Sequence, residues 1–263
     1  MKAHRIGALI TRHLYTYRRS PMRLIELIYW PLLDLLVWGF VSVYLQRFGA
    51  NVPNFVAFFI GALILWDILF RAQQGISVTY LEEVWSRNLM NLFVSPLTVA
   101  EFLLATVIVS LGKLTVAAVT MAGLAAIFYQ FNILILGASL FPFVANLLLF
   151  GWSLGVVTTA LVLRFGQAAE SLAWVLAFLF QPFSAVFYPV SVLPPWMQAI
   201  AQYLPSSHIF EGMRAVIGGE GMPWAHLAWA TGLNAFFVVG SVAFFYATFA
   251  YVRKRGLLSK VGE

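Results

Sequence analysis

Six stretches of roughly 20 or more almost wholly apolar residues follow one another in this chain, each long enough for a helix to cross the hydrocarbon core of a bilayer. They run from Ile25 to Leu45, Phe55 to Gly75, Phe102 to Phe128, Ile133 to Leu163, Ser171 to Val190 and Trp224 to Tyr251. A water-soluble fold could not hide them: of 263 residues, 62% are hydrophobic and only 10% charged. The fold class expected is therefore an all-α membrane protein with six transmembrane helices. The connections are short, so a single membrane domain covers residues 1–263. Within it, 1–24 form an interfacial amphipathic helix, 25–251 the six-span bundle and 252–263 a basic tail. No cleavable leader is expected, because the first long apolar run starts only after Arg23 and lacks a small-residue cleavage pattern.

A formal charge of +6 would suggest nucleic acid in a soluble chain, but here the basic residues lie beside the spans. The lipid bilayer, and no nucleic acid, is their expected partner. Lys2, Arg5, Arg12, Arg18, Arg19 and Arg23 precede the first span. Arg87 and Arg164 fall in loops on the same side, and Arg253, Lys254, Arg255 and Lys260 end the chain; the opposite loops hold Arg47 and Arg214. Twelve against two predicts that both termini face the cytoplasm.

Three segments outside the spans have patterns of their own. Before the first span, Ile6, Ile10, Leu14 and Tyr17 recur at helical spacing while Arg5, Arg12 and Arg19 form a second stripe. This predicts a helix in the membrane interface with its arginines at anionic headgroups. The connection from Tyr80 to Glu101 contains a helical piece around Glu82 to Leu92, and Thr98 with Glu101 reads as a capping box opening the third span. Trp85, Leu89, Met90, Leu92 and Phe93 are costly to leave in water, so this loop needs a partner or the headgroup layer. The third segment, "FYPVSVLPPWMQAIAQYLPSSHIFEGMR", is punctuated by Pro189, Pro194, Pro195 and Pro205. It predicts two short helices on the extracytoplasmic side, a re-entrant hairpin between spans five and six, with Glu211 and Arg214 paired on one helical face.

Catalytic chemistry is not legible. Gly112-Lys113 lacks the upstream glycine of a phosphate-binding loop, and cysteine is absent. His4, His13, His208 and His226 are scattered without metal-ligand spacing. An enzyme is not expected. The basic amino-terminal helix, the six spans, the charged loop after span two and the Pro189, Pro194, Pro195, Pro205, Glu211, Arg214 run together resemble the membrane subunit of ABC-2 type transporters over nearly the whole chain. This resemblance implies a permease that works as a dimer, with a second copy of itself or a similar permease. It also implies an exporter in the inner membrane of a bacterium, each subunit resting on a separate ABC ATPase. ATP and magnesium would belong to that partner, and no cofactor to this chain. The loop after span two becomes the coupling element, carried by Tyr80, Glu82, Glu83, Trp85, Arg87, Leu89 and Met90, with the amino-terminal helix, through Arg12 and Arg19, as a second, weaker contact.

Four charges fall inside the spans. Asp67 and Arg71 are spaced to pair along one helix, and Asp34 and Lys113 have matching depths, which predicts a second pair. The alternative reading is an ion- or proton-coupled secondary transporter using Asp34, Asp67 and Lys113 as a relay. A membrane anchoring subunit, for which the loop after span two is only a docking site, is the remaining one. Gly151 and Gly155 allow close helix approach, expected within one subunit. Pro31, Pro142 and Pro182 fall within predicted spans and should bend them.

Overall fold

The computed structural model describes residues 2–48, 54–86, 88, 91 and 94–255. Every regular element among the described residues is helical. The nine α-helices labelled here are α1 (Ala3–Arg18), α2 (Pro21–Phe48), α3 (Phe55–Trp85), α4 (Val99–Tyr129), α5 (Leu140–Phe165), α6 (Leu172–Phe180), α7 (Pro195–Ala201), α8 (Pro205–Ile217) and α9 (Trp224–Lys254). Among the described residues, five segments are helical, long and apolar enough to cross a membrane: Pro21–Arg47, Phe55–Trp85, Val99–Tyr129, Ile133–Phe165 and Trp224–Lys254. The chain is thus a multi-pass membrane protein.

The third helix is the axis of the bundle. Between residues 59 and 81 it is buried except at Phe70, Arg71, Gln74 and Val78. Its closest neighbour is α5, where Gly151 and Gly155 press against its backbone. A Cβ on Gly151 would come within 2.5 Å of the Leu69 carbonyl oxygen, and one on Gly155 within 2.7 Å of that of Gln73. The small-residue pair therefore packs helices within one chain. Buried amides fasten the same core: Gln73 Nε2 donates to Ala173 O of α6 at 3.1 Å, and Asn234 Nδ2 of α9 donates to Asn146 Oδ1 of α5 at 2.8 Å. In a bilayer such groups find no water, so they bond across helices.

Several boundaries differ from those read in the sequence. The predicted fifth span, Ser171 to Val190, holds only the nine-residue α6, because Pro182 cannot continue a helical hydrogen-bond ladder and the chain passes into turns. Pro142 lies in the first turn of α5, where proline is tolerated, since Ile133–Ser139 forms a separate 3-10 run. The helical piece expected around Glu82 is the end of α3, which continues as far as Trp85. The capping box is present: Glu101 N donates to Thr98 Oγ1 at 3.2 Å and Thr98 N to Glu101 Oε2 at 3.0 Å. Pro195 and Pro205 occupy the first turns of α7 and α8, and Pro189 and Pro194 sit in extended backbone just ahead of helical turns.

Candidate functional site

At membrane depth α3 carries a charged group that runs from buried Asp67 to Arg71 on its accessible stripe. Asp67 Oδ2 accepts from Arg71 Nε at 2.6 Å, and both side chains are largely buried. Alongside runs α2, antiparallel, with Arg23 meeting Glu82 at one end and the Trp38 ring 6.5 Å from that of Phe59 at the other. This register sets Asp34 level with Asp67 and Arg71, and the three charges act on one another. Asp34 is exposed, and the ion pairs among the described residues do not include it. On the other flank Phe178 of α6 packs on Phe70, with ring centroids 4.8 Å apart, and reaches toward Trp66.

Lys113 does not join this group. The packing of Tyr80 with Phe102 and of Gly75 against Ser110 places the Lys113 backbone opposite Ala72, so its depth does match. Its long side chain instead snorkels toward the α1 end. There Nζ donates to Thr79 Oγ1 at 3.4 Å and lies 4.5 Å from the centroid of the Tyr17 ring. The expected Asp34–Lys113 pair is thereby corrected. What remains at depth is one cation between two carboxylates.

At the α1 end the basic residues are spent within the chain. Arg12 pairs with Glu83, Arg23 with Glu82 at 2.9 Å, and Arg5 with Glu101 at 3.5 Å. The Lys2 backbone N–H also reaches Glu101 Oε1 at 2.6 Å. The arginine stripe thus bolts α1 to the end of α3 and the start of α4, where headgroup contact was expected; Arg19 stays exposed. Glu83 is 1% exposed and also accepts from Asn88, and Tyr80 is equally buried, so neither is available to another protein. Trp85, 48% exposed, and Val94, 81% exposed, are. Arg87, Leu89 and Met90 lie outside the described residues, as do Leu92, Phe93 and the tail beyond Arg255.

His13 is the residue of α1 whose importance the sequence did not reveal. It is 5% exposed, and burial together with the nearby charges of Lys113, Arg12 and Arg23 holds its pKa down at about 4 against an ordinary 6.5. The docked helix therefore carries neutral imidazole and the undocked one binds the proton. Docking is complete above pH 6.5, weakens as pH falls toward 4 and loses on the order of 3 kcal/mol by then. Tryptic cleavage after Arg18 or Arg19, normalised at each pH to cleavage of an unstructured peptide of the same sequence, should rise over this window, and His13→Asn should remove that part of the dependence.

At the opposite end Glu211 and Arg214 secure the segment that follows α6. Arg214 Nη2 donates to Ala185 O at 2.8 Å and to Glu211 Oε1 at 3.0 Å, while Glu211 Oε1 accepts the Val190 N–H at 2.7 Å. The guanidinium also lies 5.0 Å from the centroid of the Phe58 ring. Ala185 is buried with φ +51°, a conformation that costs a residue with a Cβ about 1 kcal/mol, and the Arg214 bond is what holds its carbonyl there. Burial draws the Arg214 pKa down from its ordinary value and the Glu211 carboxylate opposes this.

A family model described as an ABC-2 family transporter protein matches residues 37–250. No curated protein matches the chain.

Proposed function

Since the chain belongs to the ABC-2 transporter family and is its membrane permease, we propose that it forms the translocation path of an exporter whose energy comes from a separate ABC ATPase seated at the α1 end. The chain is a transport subunit rather than an enzyme, and ATP and magnesium would bind the partner. A dimer, with a second copy or a similar permease, would bring two charged faces together. The observation that carries this reading is the bolted corner. With α1 tied to α3 and α4 by two ion pairs, and α2 to α3 by a third, a push on that corner reaches the membrane helices directly. The contact surface proposed is Trp85 with Val94, an apolar centre of the kind that anchors protein interfaces. Replacing both by glutamate should release the ATPase on co-purification while the bundle stays folded. Retention of the ATPase by that variant would remove the assignment.

The sixth crossing is proposed for the broken segment after Ser171. Its course is marked by α3: Ala173 meets Gln73, Phe178 meets Phe70, and Phe187 stacks 4.8 Å from Phe59. From Gln73 to Phe59 is about 21 Å of helix, most of a hydrocarbon core. On this course α7 and α8 lie on the extracytoplasmic side as a re-entrant hairpin, and both termini face the cytoplasm of a bacterial inner membrane. Ala168 and Val192 are exposed positions on either side of the segment. In this cysteine-free chain, Ala168→Cys and Val192→Cys should label from opposite sides of the membrane; labelling from one side would contradict the crossing.

The alternative, an ion-coupled transporter, draws on Asp34, an acid without an ion-pair partner among the described residues, beside Asp67.

A further inference from the structure

Arg5, Arg12, Arg23, Arg71 and Arg214 are all spent on carboxylates of the chain itself. Arg164, at the end of α5, and Arg255, which caps α9, are held differently. The Arg164 guanidinium carbon lies 5.1 Å from the centroid of the Phe165 ring and 5.1 Å from that of Tyr251, and the Arg255 carbon lies 5.0 Å from the same Tyr251 ring. Among the described residues neither side chain donates a hydrogen bond or joins an ion pair. A cation over a ring is held by the ring's π electrons, so the N–H donors of both planar forks remain open to an acceptor. Sharing one ring also keeps two like charges close together, a repulsion that an anion between them would relieve. Arg253 and Lys254, both exposed, add to the positive end of α9, and Glu170, just beyond the 3-10 turn that follows α5, forms no ion pair among the described residues.

The kind of anion follows from the place. Arg164 ends one membrane-crossing helix and Tyr251 lies in the last turn of another. Their neighbours Leu163 and Val252 belong with Leu9 of α1 to one buried cluster, which puts the two arginines at the α1 end of the bundle. Phe165, 56% exposed, and Tyr251, 38% exposed, are aromatic groups of the type that lies at headgroup level. The acceptor within reach there is a lipid phosphate, whose oxygens suit the guanidinium fork. A zwitterionic headgroup would bring an ammonium group toward four cations and is disfavoured; an anionic one is not.

We propose that Arg164 and Arg255, ordered by the rings of Phe165 and Tyr251, form a binding site for the phosphate of an anionic phospholipid headgroup. The headgroup contact that the sequence suggests for the α1 arginines thus moves to the flank formed by α5 and α9. The site draws on the chain's crossing of the membrane and not on the ATPase assignment. The test is native mass spectrometry of the full chain, titrated in detergent with phosphatidylglycerol and, in parallel, with phosphatidylcholine of the same acyl chains. Phosphatidylglycerol should bind more tightly. Arg164→Gln and Arg255→Gln should each weaken its binding about fivefold, while Arg19→Gln, at an exposed arginine of the same end outside the ring cluster, should leave it unchanged. Arg164→Lys keeps the charge but loses the fork and should not restore binding. The ratio of the two lipids on one protein sample does not depend on a variant's stability. Phosphatidylglycerol should also raise the Tm of the native chain, and inorganic phosphate alone should not. Native affinity in Arg164→Lys would reduce the contact to surface charge. A rise in Tm with phosphate equal to that with the lipid would make it a free-anion site, and equal binding of the two lipids by the native chain would leave no site; each of these results overturns the proposal.

Discussion

Replacing Arg71 with methionine is expected to cost about 3–5 kcal/mol of stability, the range for removing one partner from a buried ion pair. The change strands Asp67, which is buried, and leaves Asp34 at the same level with no cation between them. Replacing Asp67 with asparagine is expected to cost less, about 1–2 kcal/mol, because Asp34 can turn to the Arg71 guanidinium and because asparagine still accepts a hydrogen bond. Adding Asp34→Asn to Asp67→Asn should then cost more than the two single changes together, since the second removes the substitute acid. Unfolding of the four variants in one detergent measures this order. Equal losses for Arg71→Met and Asp67→Asn would mean that Asp34 is not coupled to the pair.

The second large effect is expected at Arg214. Truncation to alanine removes the donor to Ala185 O and Glu211, opening the clamp on the segment that follows α6. About 3 kcal/mol should be lost, or roughly 6–12 °C in Tm for a chain of this size. Arg214→Lys should recover less than half, because an ammonium group cannot reproduce a planar fork that bonds a carboxylate and a carbonyl at once. Recovery of full stability by lysine would show that only the charge matters.

Those two sites were unequally legible in the sequence. Glu211 with Arg214 and Asp67 with Arg71 are neighbours on single helices, so helical spacing alone brings them together, and the structure shows both pairs. The prolines that open α7 and α8 are equally local signals. What escaped was direction and extent. Lys113 and Asp34 matched in depth, but a lysine side chain can reach more than a helical turn along the axis, and nothing in the spacing said which way. The arginines of α1 were assigned to lipid because a hydrophobicity pattern shows a polar stripe without showing that Glu83 and Glu101 converge on it from elsewhere in the chain. The nine-residue α6 was hidden for a similar reason: an apolar run looks the same whether its backbone is helical or turns at Pro182.

The central claim is that this permease is worked by an ATPase pressing on the corner formed by α1 and the ends of α3 and α4. The most direct measurement is substrate movement in sealed vesicles holding the purified complex, with ATP or an imposed ion gradient as the only energy source. The account predicts transport with ATP, none with the gradient alone, and loss of transport together with the ATPase when Trp85 and Val94 are both replaced by glutamate. Transport that runs on the gradient without ATP, persists in the Trp85 and Val94 variant and stops in Asp34→Asn would contradict it.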